Sequence, residues 1–169
     1  IHEFGHFIDG HGLGRRFYDL PSQDLSYYID DDIDKLINDR IDKVELKQEG
    51  NPTTGYTRIN GINYKLKKNG DLTKAAENKL MKYKRKQALQ MAVNEVRDKY
   101  SNRQSYCDFS DIIGGAKMLD TTYPLGVGHP GAYWNQTMRS AEFFAEATSA
   151  TINNPESLEI LKANFPKAY

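Results

Sequence analysis

Two histidines four residues apart stand at the start of the chain. His2, Glu3 and His6 spell H-E-x-x-H. On a helix, residues i and i+4 lie one above the other on the same face, so both imidazoles can reach a single ion. Glu3 sits at the edge of that face. It is placed to hydrogen-bond a water at the ion without displacing it, which is the position of a general base for hydrolysis. Zinc suits such a donor set, needs a third protein ligand, and keeps a further position open when it does chemistry.

Four side chains are candidates for that third ligand. His11 lies five residues after His6, where the metzincin pattern has six, and Asp9 stands where that pattern has glycine. On a continuing helix Asp9 lies about one turn beyond His6, which suits a carboxylate that supports a ligand or caps the helix. His129 is possible from a loop. Glu142 is the strongest. It falls on a separate expected helix, and Glu146 follows one turn later. That pair offers one carboxylate to bind the ion and one to orient a ligand histidine through its other ring nitrogen.

The elements that must position these groups are legible as periodicities. Ile1 to about Asp9 reads as a helix stopped by Gly10-His11-Gly12-Leu13-Gly14. After Leu20-Pro21-Ser22, the residues Leu25, Ile29, Ile33, Leu36, Ile37, Ile41 and Val44 mark one face of a long amphipathic helix. Asp30, Asp31 and Asp32 interrupt it. They lack the alternating ligands and turn glycine of a calcium loop, so they read as a solvated face. A loop at 51–55 leads to a hairpin, Tyr56–Ile59 and Ile62 to Leu66, around a type I′ turn at Asn60-Gly61. Thr73 then caps a second long helix to about Tyr100, with Leu80, Met81, Ala88, Met91, Ala92 and Val96 as its apolar stripe. Opposite charge on the two long helices suggests that they lie antiparallel, acidic face to basic face. From Asp108 to Asn135 the chain is short-patterned, glycine-punctuated and aromatic, which suggests short strands and loops. Thr137 or Ser140 leads into the Glu142 helix, and Asn153-Asn154-Pro155 separates it from a terminal helix over about Glu156 to Asn164.

The 169 residues suffice for one domain with a core and an elaborate insertion. The fold class expected is α+β, mainly helical. One domain spans 1–169: an active-site helix and loop at 1–19, a helix–hairpin–helix insertion at 20–103, and a ligand-bearing half at 104–169. The insertion has no histidine and is expected to carry no catalytic residue. Because the motif helix follows Ile1 directly, a supporting sheet and any targeting segment are expected to precede it.

Net charge is zero, so there is no general pull toward nucleic acid or acidic membranes. The balance is uneven, with twelve acidic and six basic side chains over 1–50 against four acidic and twelve basic over 65–103. Two charged helical faces explain this better than a nucleic-acid patch. No apolar run approaches the roughly 18 residues a membrane span needs. Cys107 is the single cysteine, which excludes an internal disulfide, and it reads as a packed or incidental thiol.

His-Glu-Phe-Gly-His at 2–6 with Asp9 following, together with Ala141-Glu142-Phe143-Phe144-Ala145-Glu146-Ala147, resembles the catalytic domain of anthrax lethal factor and its relatives. That group is a branch of the gluzincins. Ser110-Asp111-Ile112-Ile113-Gly114-Gly115, Gly128-His129 with Tyr133-Trp134, and Asn154-Pro155-Glu156 with Phe165-Pro166 resemble the zincin-like domains of phage minor head proteins and bacterial polymorphic toxins. The resemblance covers about residues 1–14 and 106–169 and leaves out the middle.

The resemblance implies a zincin-like fold with zinc held by His2, His6 and Glu142. Glu3 would be the general base and Glu146 a supporting carboxylate behind the ligands. The family places an oxyanion-stabilising tyrosine seven positions before the ligand glutamate, where this chain has Asn135; Tyr133 lies nine before. Tyr133 or His129 could serve instead, or Tyr133 could be an aromatic packed beside Trp134. The activity implied is a zinc-dependent metalloendopeptidase acting on protein or peptide substrates, in a virion or a delivered toxin. The rival is a non-catalytic module that keeps the fold and binds virion proteins.

Overall fold

Asn60 and Gly61 both take positive φ, 45° and 77°, the backbone of a two-residue type I′ turn. That turn sets the register of the hairpin, β1 (Tyr56–Ile59) against β2 (Ile62–Lys65), from Ile59↔Ile62 to Tyr56↔Lys65. The computed structural model describes residues 1–11, 22, 24–50, 52 and 55–169. Among these the hairpin is the one sheet, and the rest is helical: α1 (His2–His11), α2 (Leu25–Asn38), α3 (Lys74–Lys99), α4 (Cys107–Gly115), α5 (Gln136–Asn153) and α6 (Pro155–Asn164). The chain is therefore α+β and mainly helical. The glycines at 12 and 14, the Leu20-Pro21 boundary, most of the 51–54 loop and the side chains of His11 and Thr137 lie outside the described residues.

One hydrophobic core unites α2 to α6. Ile29, Ile33 and Ile37 of α2 meet Leu89 and Val93 of α3, with Phe109 and Ile113 of α4 and Phe143 of α5 in the same cluster. Phe165, beyond α6, closes it by packing its ring against Phe109 and Phe143 at 5.9 and 5.5 Å. Thr73 caps α3 by accepting from the Ala76 amide at 3.3 Å, and Asn154 caps α6 by accepting from Ser157 at 3.2 Å.

Several sequence expectations are corrected. The first long helix ends at Asn38 and not near Val44, and a 3-10 turn at Ile41–Lys43 follows. The Arg40 guanidinium satisfies the helix end by donating to the Leu36 carbonyl at 2.9 Å. The ion pairs Asp34–Arg85 and Arg40–Glu95 ascend both chains together, so α2 and α3 run in the same direction and not antiparallel.

The α3 stripe also shifts. Leu89 and Val93 are fully buried, whereas Met81 is 50% exposed, because only the C-terminal half of α3 enters the core. Asp32 is buried and not solvated: its Oδ2 accepts from the amides of Lys167 at 2.9 Å and Ala168 at 3.0 Å. Its neighbours Asp30 and Asp31 pair with Arg139 and Lys167. The whole acidic run is thus spent on tertiary contacts.

Residues 107–115 form α4 where short strands were expected, and no strand follows before α5. Ser110 and the paired glycines do not break this helix. They give it a small, polar face on which the next loop settles. Ser110 Oγ donates to the Val127 carbonyl at 2.8 Å and accepts from the Leu125 amide at 3.1 Å. A β-carbon on Gly115 would fall 2.8 Å from the Trp134 ring, so the indole lies directly on the helix backbone. Asn135, not Thr137 or Ser140, caps α5 by accepting from the Met138 amide at 2.8 Å.

Candidate metal centre

Gly5 determines how closely α1 approaches α5. A β-carbon there would stand 2.6 Å from the Cα of Ala145. With no side chain in the way the two backbones touch, and the ring nitrogens of α1 reach Glu142, about one turn before Ala145. His2 Nε2 lies 3.2 Å from Glu142 Oε2, and His6 Nε2 lies 3.2 Å from Glu142 Oε1. The two Nε2 atoms are 3.1 Å apart.

These three side chains form a group that could hold a metal ion. The separations match donor atoms around one small ion: tetrahedral bonds of about 2.0–2.1 Å place neighbouring ligand atoms about 3.3 Å apart. Glu142 is 1% exposed, and its buried Oε2 accepts no hydrogen bond among the described residues. A buried carboxylate oxygen without a donor is costly unless a cation faces it. The donor set therefore fits a zinc-like ion.

Glu3 lies beside this triangle and is exposed. At about 100° per helical residue it stands about 60° round the helix from His6. Asp9 is buried on the α5 side of α1, where its two oxygens take the Ser22 amide at 2.9 Å and hydroxyl at 2.6 Å. It ties Ser22, which precedes α2, to α1.

The opposite wall comes from α4 and the loop on its face. Asp111 accepts from the His129 amide at 2.7 Å through Oδ1, and its Oδ2 meets His129 Nδ1 at 2.5 Å. Gly128, at φ 132°, lets the backbone pass over this carboxylate, since a β-carbon there would lie 2.8 Å from Asp111 Oδ1. The Tyr133 ring stacks on His129 at 4.2 Å and meets Trp134 edge-on at 5.3 Å. Its hydroxyl donates to Glu142 Oε1. Tyr133 is thus both a group at the site and an aromatic packed beside Trp134. Burial, then the Glu142 carboxylate, pushes its phenol well above the usual range.

Glu146, one turn on from Glu142, is buried, and no hydrogen-bond partner reaches its Oε2 among the described residues. Burial first, then the charges of Asp108, Asp111 and Glu142, hold its carboxyl protonated well above the ordinary range. Asp111, His129 and Glu142 also lie close enough to form a second metal-capable group. Cys107 plays no part: burial and then Asp108 raise its thiol to about 12, leaving it inert as a nucleophile.

Sequence reasoning gave no role to Gly5 or Asp111. Gly5 could have been noticed as the small residue between the two ligands of one helix. Asp111 stood inside a motif already singled out, but its partner lies 18 residues away. Comparison of the chain with protein-family models, curated proteins and solved structures finds no match in any of the three.

Proposed function

We propose that the chain is the metal-binding portion of a zinc-dependent metalloendopeptidase. The observation that carries this reading is the triangle of His2, His6 and the buried Glu142, with a carboxylate, Glu3, exposed beside it on the same helix. When bound, zinc would supply Lewis acidity, lowering the pKa of a water at its open position and polarising a peptide carbonyl. Glu3 takes the proton of the attacking water and returns it to the leaving amine. His129, in its imidazolium form with Nδ1–H on Asp111, would donate from Nε2 to the developing oxyanion, and Tyr133 would join it once its hydroxyl turns from Glu142. Asp111 restrains the imidazole, so this wall costs little reorganisation as charge forms. Gly5 and Ala145 hold the ligand helices in contact.

Elemental analysis of the purified protein should find about one zinc per chain, lost in His6→Ala. Peptide-library digestion by the zinc-loaded protein should yield products that chelation abolishes. Absence of zinc in the parent protein after supplementation would sink the proposal. Zinc without turnover would instead assign the chain to the non-catalytic virion module.

A further inference from the structure

A cavity of about 470 Å³ opens between α3 and the turn that follows α4. Lys82, Arg85 and Lys86 line one side and Lys117 the other, against a single carboxylate, Asp120. Met81, half exposed, Met118 and Leu119 supply its apolar surface. Three of the cations are engaged: Arg85 with Asp34, Lys86 with Asp120, and Lys117 with the Trp134 carbonyl at 2.5 Å. Lys82 is exposed and pairs with no carboxylate among the described residues.

The chemistry of this lining selects its ligand. The cavity lies in the stretch 65–103, where twelve basic side chains outnumber four acidic ones, so the positive field extends beyond its walls. Methionines are flexible and repack around aliphatic groups of differing shape. No aromatic side chain lines the cavity, so it lacks the stacking platform that single-stranded nucleic acid uses. Lys117 also joins the cavity to the metal centre, because the carbonyl it holds belongs to the residue after Tyr133.

We propose that this cavity docks an acidic protein segment with aliphatic residues between its carboxylates, and that the segment belongs to the substrate; the second part rests on the peptidase reading. Carboxylates meet Lys82 and the rim cations, and leucine-like side chains lie on Met81 and Met118. A substrate held here is tethered beside the loop that carries His129 and Tyr133, which raises its effective concentration at the site.

The test is fluorescence anisotropy with a labelled peptide of alternating glutamate and leucine, on metal-free protein and on His6→Ala, so that binding is read apart from cleavage. Saturable binding is expected, weakened about tenfold by Lys82→Glu, weakened also by Met81→Ser, and unchanged by Lys68→Glu on the exposed hairpin side. Equal affinity for a lysine–leucine peptide would overturn the proposal, as would indifference to Lys82→Glu. Tighter, Lys82-dependent binding of polyuridylate would overturn it in favour of a nucleic acid. Peptide binding without zinc-dependent cleavage would remove the peptidase reading alone, and cleavage without peptide binding would remove the docking site alone.

Discussion

Gly5 and Ala145 bring two helices together backbone to backbone: a β-carbon on the glycine would lie 2.6 Å from the alanine Cα and 3.1 Å from its carbonyl oxygen. Both obstacles are main chain, so they cannot move aside as a side chain would. The metal-capable triangle depends on this contact, because His2 and His6 flank Gly5 on one helix while Glu142 precedes Ala145 on the other.

Gly5→Ala should therefore push α1 away from α5. Zinc affinity should fall at least about tenfold, with a stability loss of about 1–3 kcal/mol. Adding Ala145→Gly should not restore either, since the clash is with Cα. Competitive zinc titration and thermal melts of the single and double variants would check this, and rescue by the second change would refute it.

Ligand and base should separate cleanly. Glu142→Ala should lower zinc affinity, because it removes a donor atom from the triangle. Glu3→Gln should keep the metal and lose turnover by about 10²–10⁴-fold, because the amide cannot accept the proton. Metal content and peptide hydrolysis measured side by side would show it; the reverse pattern would exchange the two roles.

Asp111→Asn should leave zinc content unchanged and lower kcat about ten- to a hundredfold. The amide can accept from the His129 amide, but its NH2 donates to Nδ1 where the carboxylate accepts from it, which imposes the other tautomer on the imidazole. A variant with wild-type kcat would remove His129 from the reaction.

Glu146 makes stability fall with pH in the metal-free protein. Its folded pKa lies well above the ordinary value of 4.5. Below about that pH the carboxyl is protonated folded and unfolded, and its contribution is fully present. As pH rises toward the folded pKa, the unfolded chain ionises first and stability is lost. Glu146→Gln should abolish that slope. Thermal melts of both proteins in chelator from acid to neutral pH would test it, parallel curves being the contrary result.

Asp32→Ala should cost about 1–3 kcal/mol, because two backbone amides, those of Lys167 and Ala168, lose their acceptor in a buried position. Limited proteolysis should then cut the C-terminal segment faster. Unchanged melting would show that water replaces the carboxylate.

Local rules account for what the sequence alone determined. The spacing of His2 and His6 places two imidazoles on one helix face wherever that helix sits. Asn60-Gly61 turns the hairpin because both residues tolerate positive φ. Thr73 and Asn154 start their helices because each side chain bonds an amide three residues on. Glu142 stood out because a carboxylate pair one turn apart needs no tertiary information to recognise.

The tertiary structure decided the rest, since those features join residues distant in the chain. Nothing within α2 reveals that Asp32 is buried, because its partners come 135 and 136 residues later. The direction of α2 against α3 depends on tertiary packing, not on the charge of either face. The glycines of α4 read as breakers until Trp134 and the loop over Asp111 fill the space their missing side chains leave. Periodicity describes which face a helix buries. What that face meets depends on backbone approach distances, and those are decided at Gly5, Gly115 and Gly128 by the atoms each glycine lacks.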